Sequence, residues 1–436
     1  MAAESTHVAA PVLRRLIVAA TIGNVFEWFD FVVYGFFAVT LAEVFFPAHD
    51  PTVSLLVTFG AFGLAYLVRP LGAIVVGGYT DRAGRKAGLL LSIALMMIGT
   101  TLMAVTPGYA TIGIAAPIII TLARLLQGFS VGGEFGSAVT FLAEHAGERR
   151  GYSASWQFST AGMITVLASL FGVILTTSLT HDQLIAWGWR IPYVFGMLIG
   201  PVALYVRAKI TETPEFLAAE KPQTMPIMDL LRRHPVPVLI GIGISIISNS
   251  SFYILAYIPT YGVKTLHLPA VTGFTATLIG GLILAIGSPI AGHWSDRVAS
   301  RPLLMVITCW LFLLTSWPVF WLMGTWPSLA TCIVAVAWLQ FCKSGYSGVL
   351  PSLLSEQFPV ETRAIGVALS FSTAVSIFGG LAPFIATSLI AITRDPLSPS
   401  YYLVFTALLS LVALMAIVWR SRLAAGVAGP GALAAR

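Results

Sequence analysis

An all-α membrane protein, with twelve transmembrane helices in two pseudo-symmetric six-helix bundles, is the fold class that this sequence predicts, and three observations predict it. Hydrophobic types make up 57% of the 436 residues and charged types only 10%, against about a quarter charged in an ordinary globular domain. So few charges cannot cover a soluble surface of this size. Second, the apolar residues fall in runs of membrane-spanning length, since a bilayer core about 30 Å thick needs about 20 helical residues at 1.5 Å each. Third, parts of the chain repeat at almost half its length. The same composition excludes a disordered chain, a coiled coil, collagen and a disulfide-stapled scaffold.

Breaking the chain where Gly, Pro or charge clusters interrupt the apolar runs predicts spans at 16–45, 52–78, 88–106, 111–143, 152–179, 190–208, 236–263, 270–294, 302–324, 327–355, 363–392 and 399–420. The run after Arg14 and Arg15 is too long for the apolar stretch of a signal peptide and is expected to stay in the mature chain. Cys309, Cys332 and Cys342 lie in apolar runs without CxxC or CxxH spacing. They read as packing residues, so no disulfide frame, metal site or cofactor is expected.

Net charge is +6. With the N-terminus placed in the cytoplasm, Arg14, Arg15, Arg82, Arg85, Lys86, Arg149, Arg150, Arg207, Lys209, Lys221, Arg232, Arg233, Arg297, Arg301, Arg363, Arg420, Arg422 and Arg436 are cytoplasmic, while Arg190, Lys264 and Arg394 are outside. Eighteen against three is the positive-inside pattern. It predicts a multi-pass protein of the cell (inner) membrane with both termini cytoplasmic. It also explains the basic balance without nucleic acid as a partner.

The stretch 209–235, KITETPEFLAAEKPQTMPIMDLLRRHP, is polar and charged. It divides the chain into a first bundle at 1–208, a cytoplasmic linker at 209–235 and a second bundle at 236–436. The bundles share sequence: GGYTDRAGRK from Gly77 and GHWSDRVASR from Gly292 stand 215 residues apart, and ERRG from Glu148 and ETRA from Glu361 stand 213 apart. Duplicated halves imply a pseudo-two-fold bundle with a central path.

These residues carry a family resemblance. GGYTDRAGRK resembles the G-x-x-x-D-R-x-G-R-K signature of the major facilitator superfamily, and RLLQG at 124–128 resembles its helix 4 arginine motif. GNVFEWFDF (23–31), LVRPLGA (67–73), RLLQGFSVGGEFG (124–136), SWQ (155–157) and WGWRIPY (187–193) look like the metabolite:proton symporter group within it. YIPTYG (257–262) and ALSFSTAVSIFGGLAPFI (368–385) are most similar to its citrate and tricarballylate symporters. The resemblance implies the major facilitator fold and alternating-access symport by a monomer. In two respects the chain departs from the pattern. Ala299 and Ser300 replace Gly and Arg in the second loop motif, which predicts a weaker gating role there, and Glu27 to Asp30 read EWFD, closer to ketoglutarate-type members.

Six ionisable residues fall well inside the spans: Glu27, Asp30, Arg69, Arg124, Glu134 and Lys343. At about 2.5 to 3.5 kcal/mol per charge at a helix centre, six lipid-facing charges would cost roughly 15 to 20 kcal/mol, more than the about 5 to 15 kcal/mol of typical net stability. They must face the interior. At 1.5 Å per residue, Glu27 and Arg69 lie about 18 Å deep, Glu134 about 15 Å and Lys343 about 20 Å, near the midplane where transporters bind their cargo. Glu27 and Asp30 share a helix face, and two close carboxylates cannot both ionise easily, which suits proton carriage. Proton coupling is therefore expected at Glu27, Asp30, Glu134 and Arg124. The alternative for the acids is pairing with Arg69 or Arg124 to hold helices together.

Arg69, Arg124 and Lys343 are the expected anion-binding residues. Lys343 is the most telling, because no acid lies inside any second-half span and an anionic substrate would supply its partner. A snorkelling or helix-bridging lysine is the alternative. Tyr34, Gln157, Asn249, Ser250, Tyr253, Ser370 and Ser372 add hydroxyls and amides that could orient a multi-carboxylate ligand, though serines in spans often bond to their own helix. Gly77, Asp81, Arg82, Arg85, Lys86, Asp296, Arg297 and Arg363 lie at cytoplasmic helix ends and are expected to gate. An acid there can meet Arg363 and the positive N-terminus of helix 11.

The expected function is proton symport of an organic anion, most simply a tricarboxylate such as citrate or tricarballylate, into the cell. Ketoglutarate, shikimate, another small acid or a zwitterionic osmolyte is the alternative. An osmosensing relative would be expected to carry a long helical C-terminal extension, whereas about sixteen residues rich in Ala and Gly follow Arg420. An intramembrane enzyme, an ATP-driven pump and a channel are disfavoured, because HExxH, a P-loop and a filter repeat are all absent.

Overall fold

The computed structural model describes residues 28–83, 85–131, 149–208, 226–298, 300–359 and 362–427, and within them no strand forms. Helix α1 has two arms, Trp28–Phe36 and Ala38–Phe45, bent by 77°. Helix α2 spans Pro51–Leu67 and Arg69–Ala83, α3 Arg85–Val105, α4 Ala115–Ser130, α5 Arg150–Ser178 and α6 Arg190–Ala208. A short linker helix, Pro226–Arg233, leads into α7 (Pro235–Ala256, then Ile258–Lys264). Then come α8 (Ala270–Ser295), α9 (Arg301–Thr325) and α10 (Leu329–Ser347, then Leu350–Glu356). The chain closes with α11 (Arg363–Ala374, a π turn Val375–Gly379, then Ala382–Thr393) and α12 (Ser398–Val427).

Local chemistry sets the ends of these helices. The Asp50 carboxylate accepts from the Thr52 amide at 2.7 Å, with Pro51 next in line to open α2. Ser300 caps α9 ahead of Pro302, and Ser328 with Thr331 forms a reciprocal cap on α10. The predicted fourth span begins too early: Gly113 adopts φ +58°, a left-handed conformation that suits glycine, and α4 starts beyond it. Residues 132–143 of that span lie outside the described set, as do 16–27 of the first and 209–225 of the linker.

Eight described helices are long and apolar enough to cross a bilayer, nine with the two arms of α1 taken together, and α3 and α4 carry shorter apolar stretches. Their outer faces are apolar, with Leu239, Ile286, Leu314 and Val412 each more than 60% exposed. The interior holds Arg69, Arg124 and Lys343 at 0%. Lipid as solvent favours this distribution, polar groups inward and hydrocarbon outward.

A two-fold repeat makes α2 the counterpart of α8 and α5 the counterpart of α11, and the two bundles meet along α5/α8 and α2/α11. Small residues bring the α5 and α8 backbones together along most of their length. A Cβ on Gly281 would lie 2.9 Å from the Val166 amide, and one on Gly292 2.6 Å from the Gly151 carbonyl. Ser159 donates to the Ala285 carbonyl at 2.7 Å, and Ser169 and Thr277 share a bond of 3.0 Å. Across the other seam, the Ser376 hydroxyl donates to the Tyr66 carbonyl at 2.7 Å.

Candidate functional site

Between the bundles lies a narrow cavity of about 50 Å³, lined from both sides. Trp28 and Val32 of α1 and Gln157, Phe158, Ala161 and Ile164 of α5 form the first bundle's wall. Ser248, Asn249, Phe252 and Tyr253 of α7 and Phe371 and Val375 of α11 form the other. Both halves therefore contribute, and the wall is aromatic with a few amides and hydroxyls set into it. Asn249 holds one amide proton on its own helix, donating to the Ser245 carbonyl at 2.8 Å.

Lys343 stands directly behind this wall. Its ammonium donates to the Ser248 carbonyl, sits 3.4 Å from the Ser347 hydroxyl, and lies 5.5 Å from the ring centroids of Phe158 and Phe252. Three of those contacts are themselves cavity-lining residues. No carboxylate makes an ion pair with it among the described residues, so the positive charge in this wall is balanced by carbonyl, hydroxyl and ring faces alone.

The two arginines occupy separate sites. Arg69 lies with its guanidinium carbon 4.5 Å from the Trp28 ring and 5.6 Å from the Tyr66 ring. Trp28 thus presents one face region to the cavity while stacking on Arg69. Arg124 sits in a cage of Phe31, Tyr34 and Phe62, at 4.6, 4.6 and 5.3 Å from their centroids. One of its nitrogens, Nη1, donates to Gln127 Oε1 at 2.7 Å; Gln127 Nε2 donates to Thr100 Oγ1 at 3.2 Å; and Thr100 Oγ1 donates to Asp30 Oδ2. Asp30 and Arg124, predicted to act together, are joined through α3 by neutral side chains. The Asp30 carboxylate is buried, and its other oxygen, Oδ1, has no hydrogen-bond donor among the described residues.

Sequence reasoning singled out neither Thr100, Gln127 nor Trp28. Gln127 and Trp28 fall inside quoted motifs, RLLQG and GNVFEWFDF, whereas Thr100 carries no signal in a single sequence. Tyr34 directs its hydroxyl to the Thr58 carbonyl at 3.1 Å and gives its ring to Arg124. Gln157, Asn249 and Tyr253 line the cavity. Ser250 bonds to Thr406, Ser370 to the Val238 carbonyl, and Ser372 is buried on α11. Glu27 and Glu134 lie outside the described residues, and so do the side chains of Gly77, Asp81, Arg82, Arg85 and Lys86.

At the end of the bundle where α8 stops, Asp296 accepts from the backbone amides of Gly151 at 2.7 Å and Tyr152 at 2.9 Å. It caps the first turn of α5, which belongs to the other half, where the unpaired amides and helix dipole favour an anion. Arg301 donates to Asp296 at 2.8 Å and pairs with Glu356. The altered second loop motif therefore keeps the two residues that make the contact, and Asp296 meets α5 rather than α11. Arg363 donates to the Ser355 carbonyl at 3.1 Å, and Arg297 is exposed.

The Major Facilitator Superfamily profile matches residues 20–383. The chain is 40% identical to a citrate-proton symporter of Salmonella typhi over 91% of this chain and 92% of that one, and 37% identical to a citrate-proton symporter of Klebsiella pneumoniae over 94% and 92%. It is also 35% identical to a proline/betaine transporter of Salmonella typhimurium, over 92% and 82%. A crystal structure of a D-xylose-proton symporter superposes with a TM-score of 0.73 at 18% identity, covering 90% of this chain and 96% of that one, which is a likeness of fold. Duplicated six-helix halves around a central cavity, with this profile over most of the length, place the chain in the major facilitator superfamily.

Proposed function

We propose that the protein carries an organic anion, a tricarboxylate such as citrate, into the cell together with protons, by alternating access at the central cavity. The observation that carries this reading is Lys343, a buried cation against the cavity wall with no ion-pair partner among the described residues. A multiply charged anion entering the cavity would complete its coordination, and Gln157, Asn249 and Tyr253 would orient the carboxylates and hydroxyl. Asp30, bonded through Thr100 and Gln127 to Arg124, would take and release the proton, with Glu27 and Glu134 as further acids. The bundles at 1–208 and 236–436 would rock about the α5/α8 and α2/α11 seams, and the Asp296 cap on α5 would close the cytoplasmic mouth. Similarity to two citrate-proton symporters supports the same cargo.

Proteoliposomes with an acid outside medium should accumulate labelled citrate, and a protonophore should abolish the accumulation. Uptake indifferent to the protonophore would end the proton-coupled reading, and failure of tricarboxylates to compete in a panel would end the assignment of cargo. A second reading, a zwitterionic osmolyte, draws on the aromatic walls of Trp28, Phe158, Phe252 and Tyr253, which suit a quaternary ammonium, and on the proline/betaine relative. The panel separates the two: betaine and proline would compete where citrate does not.

A further inference from the structure

The hydrogen bonds between Arg124 and Asp30 all point one way. A guanidinium can only donate, so Gln127 must turn Oε1 toward Arg124 and Nε2 toward α3. Thr100 accepts that amide proton and has one hydroxyl proton left, which it gives to Asp30. Each dipole in the series strengthens the next, and an ionised carboxylate at the far end stabilises the whole orientation. Backbone space is reserved for this arrangement at both ends. A Cβ on Gly99 would lie 2.5 Å from Gln127 Cγ, and one on Gly196 of α6 would overlap Asp30 Oδ1. All four side chains are buried.

We propose that Thr100 and Gln127 are positioning residues for proton coupling: they hold Asp30 and Arg124 in one directed chain, so that the charge state of Asp30 is passed to Arg124, and hence to the aromatic cage of α1 and α2, through α3 and α4. The inference rests on the proposed proton symport and adds the pathway by which the proton site is tied to the rest of the bundle. The titratable and charged groups around Asp30 among the described residues are Arg124 of α4, Tyr34 of α1 and Tyr193 of α6; α3 contributes only the Thr100 hydroxyl. Once Asp30 is protonated it no longer needs the Thr100 proton, the series loses its terminal anion, and Gln127 is freed to release its hold on Arg124.

The test is Thr100→Val, which keeps the shape and removes the donor, beside Thr100→Ser, which keeps the donor. Each is reconstituted in proteoliposomes and read for gradient-driven citrate accumulation, for the pH profile of initial uptake, and for citrate counterflow, which needs no net proton movement. Expected for Thr100→Val is counterflow retained, accumulation lost, and a pH profile of uptake displaced from that of the parent, because the carboxylate has lost its hydroxyl donor. Thr100→Ser should restore the parent profile, and Gln127→Leu should repeat the loss of accumulation with counterflow intact. A parent-like pH profile and accumulation in Thr100→Val would overturn the inference. So would loss of counterflow and thermal stability in both Thr100 variants, which would make the residue part of the scaffold only. If the unmodified protein accumulates citrate in the presence of a protonophore, the symport reading itself falls, and this inference with it.

Discussion

Replacing Asp296 by Asn tests the clamp between the bundles. The carboxylate holds two amides of the α5 first turn, at 2.7 and 2.9 Å, and one Arg301 nitrogen at 2.8 Å. The amide side chain keeps one accepting oxygen and turns an NH2 group toward either a backbone N–H or the guanidinium, both of which only donate. One charge-assisted bond of this kind contributes about 1.5 to 3 kcal/mol, and the charge on the helix dipole adds roughly 0.3 to 1 kcal/mol. Losing about 2 kcal/mol from the closed arrangement raises the open population by about thirtyfold, at about 1.4 kcal/mol per factor of ten. Ser155, one turn into α5 and fully buried against Gly292, reports the opening. In a Ser155→Cys background an impermeant thiol reagent should react about thirtyfold faster when Asp296→Asn is added, while the buried Cys309, Cys332 and Cys342 stay silent. A labelling rate that does not change in a folded double variant would refute the reasoning.

Three further outcomes follow from the same geometry. Lys343→Ala should abolish citrate binding in a thermal-shift titration while leaving the apo melting temperature at or above that of the parent, because a buried charge without a carboxylate is removed; normal binding would make the lysine structural. Gly196→Ala should impair gradient-driven accumulation by driving a methyl group into the Asp30 carboxylate, with counterflow as the control. Gly162→Val should lower thermal stability, since overpacking costs about 1 to 3 kcal/mol and the position faces the α8 backbone at Ala285; melting in detergent and in lipid checks it.

Much of the architecture was legible because lipid imposes a simple rule: about twenty apolar residues make a span. The repeat of GGYTDRAGRK in GHWSDRVASR announced the two-fold arrangement and placed Asp296 at a bundle end. Hydropathy is blind to how a span bends. The 77° turn between Phe36 and Ala38 and the π turn at Val375–Gly379 leave the apolar run unchanged. The buried charges stood out because charge in a span is costly. Their partners did not. Gln127 and Thr100 are neutral residues of ordinary kind, and only the packing of α3 against α4 at Gly99 brings them into line. The direction of the Asp296 contact was likewise hidden, since choosing α5 over α11 needs the pairing of the halves and not their resemblance.

The seam of small residues between α5 and α8 has a kinetic consequence. Glycine, alanine and serine give a nearly smooth track through its middle, with the large knob of Phe274 on Gly172 toward one end, and most hydroxyls nearby are satisfied by carbonyls one turn back, as at Thr160, Thr165 and Thr176. A helix that slides or tilts on such a surface strands few donors and unthreads few knobs, so friction is low and the activation barrier is concentrated at the bundle ends. Turnover should then be governed by a handful of end contacts, leaving the long middle of the interface to act as a bearing.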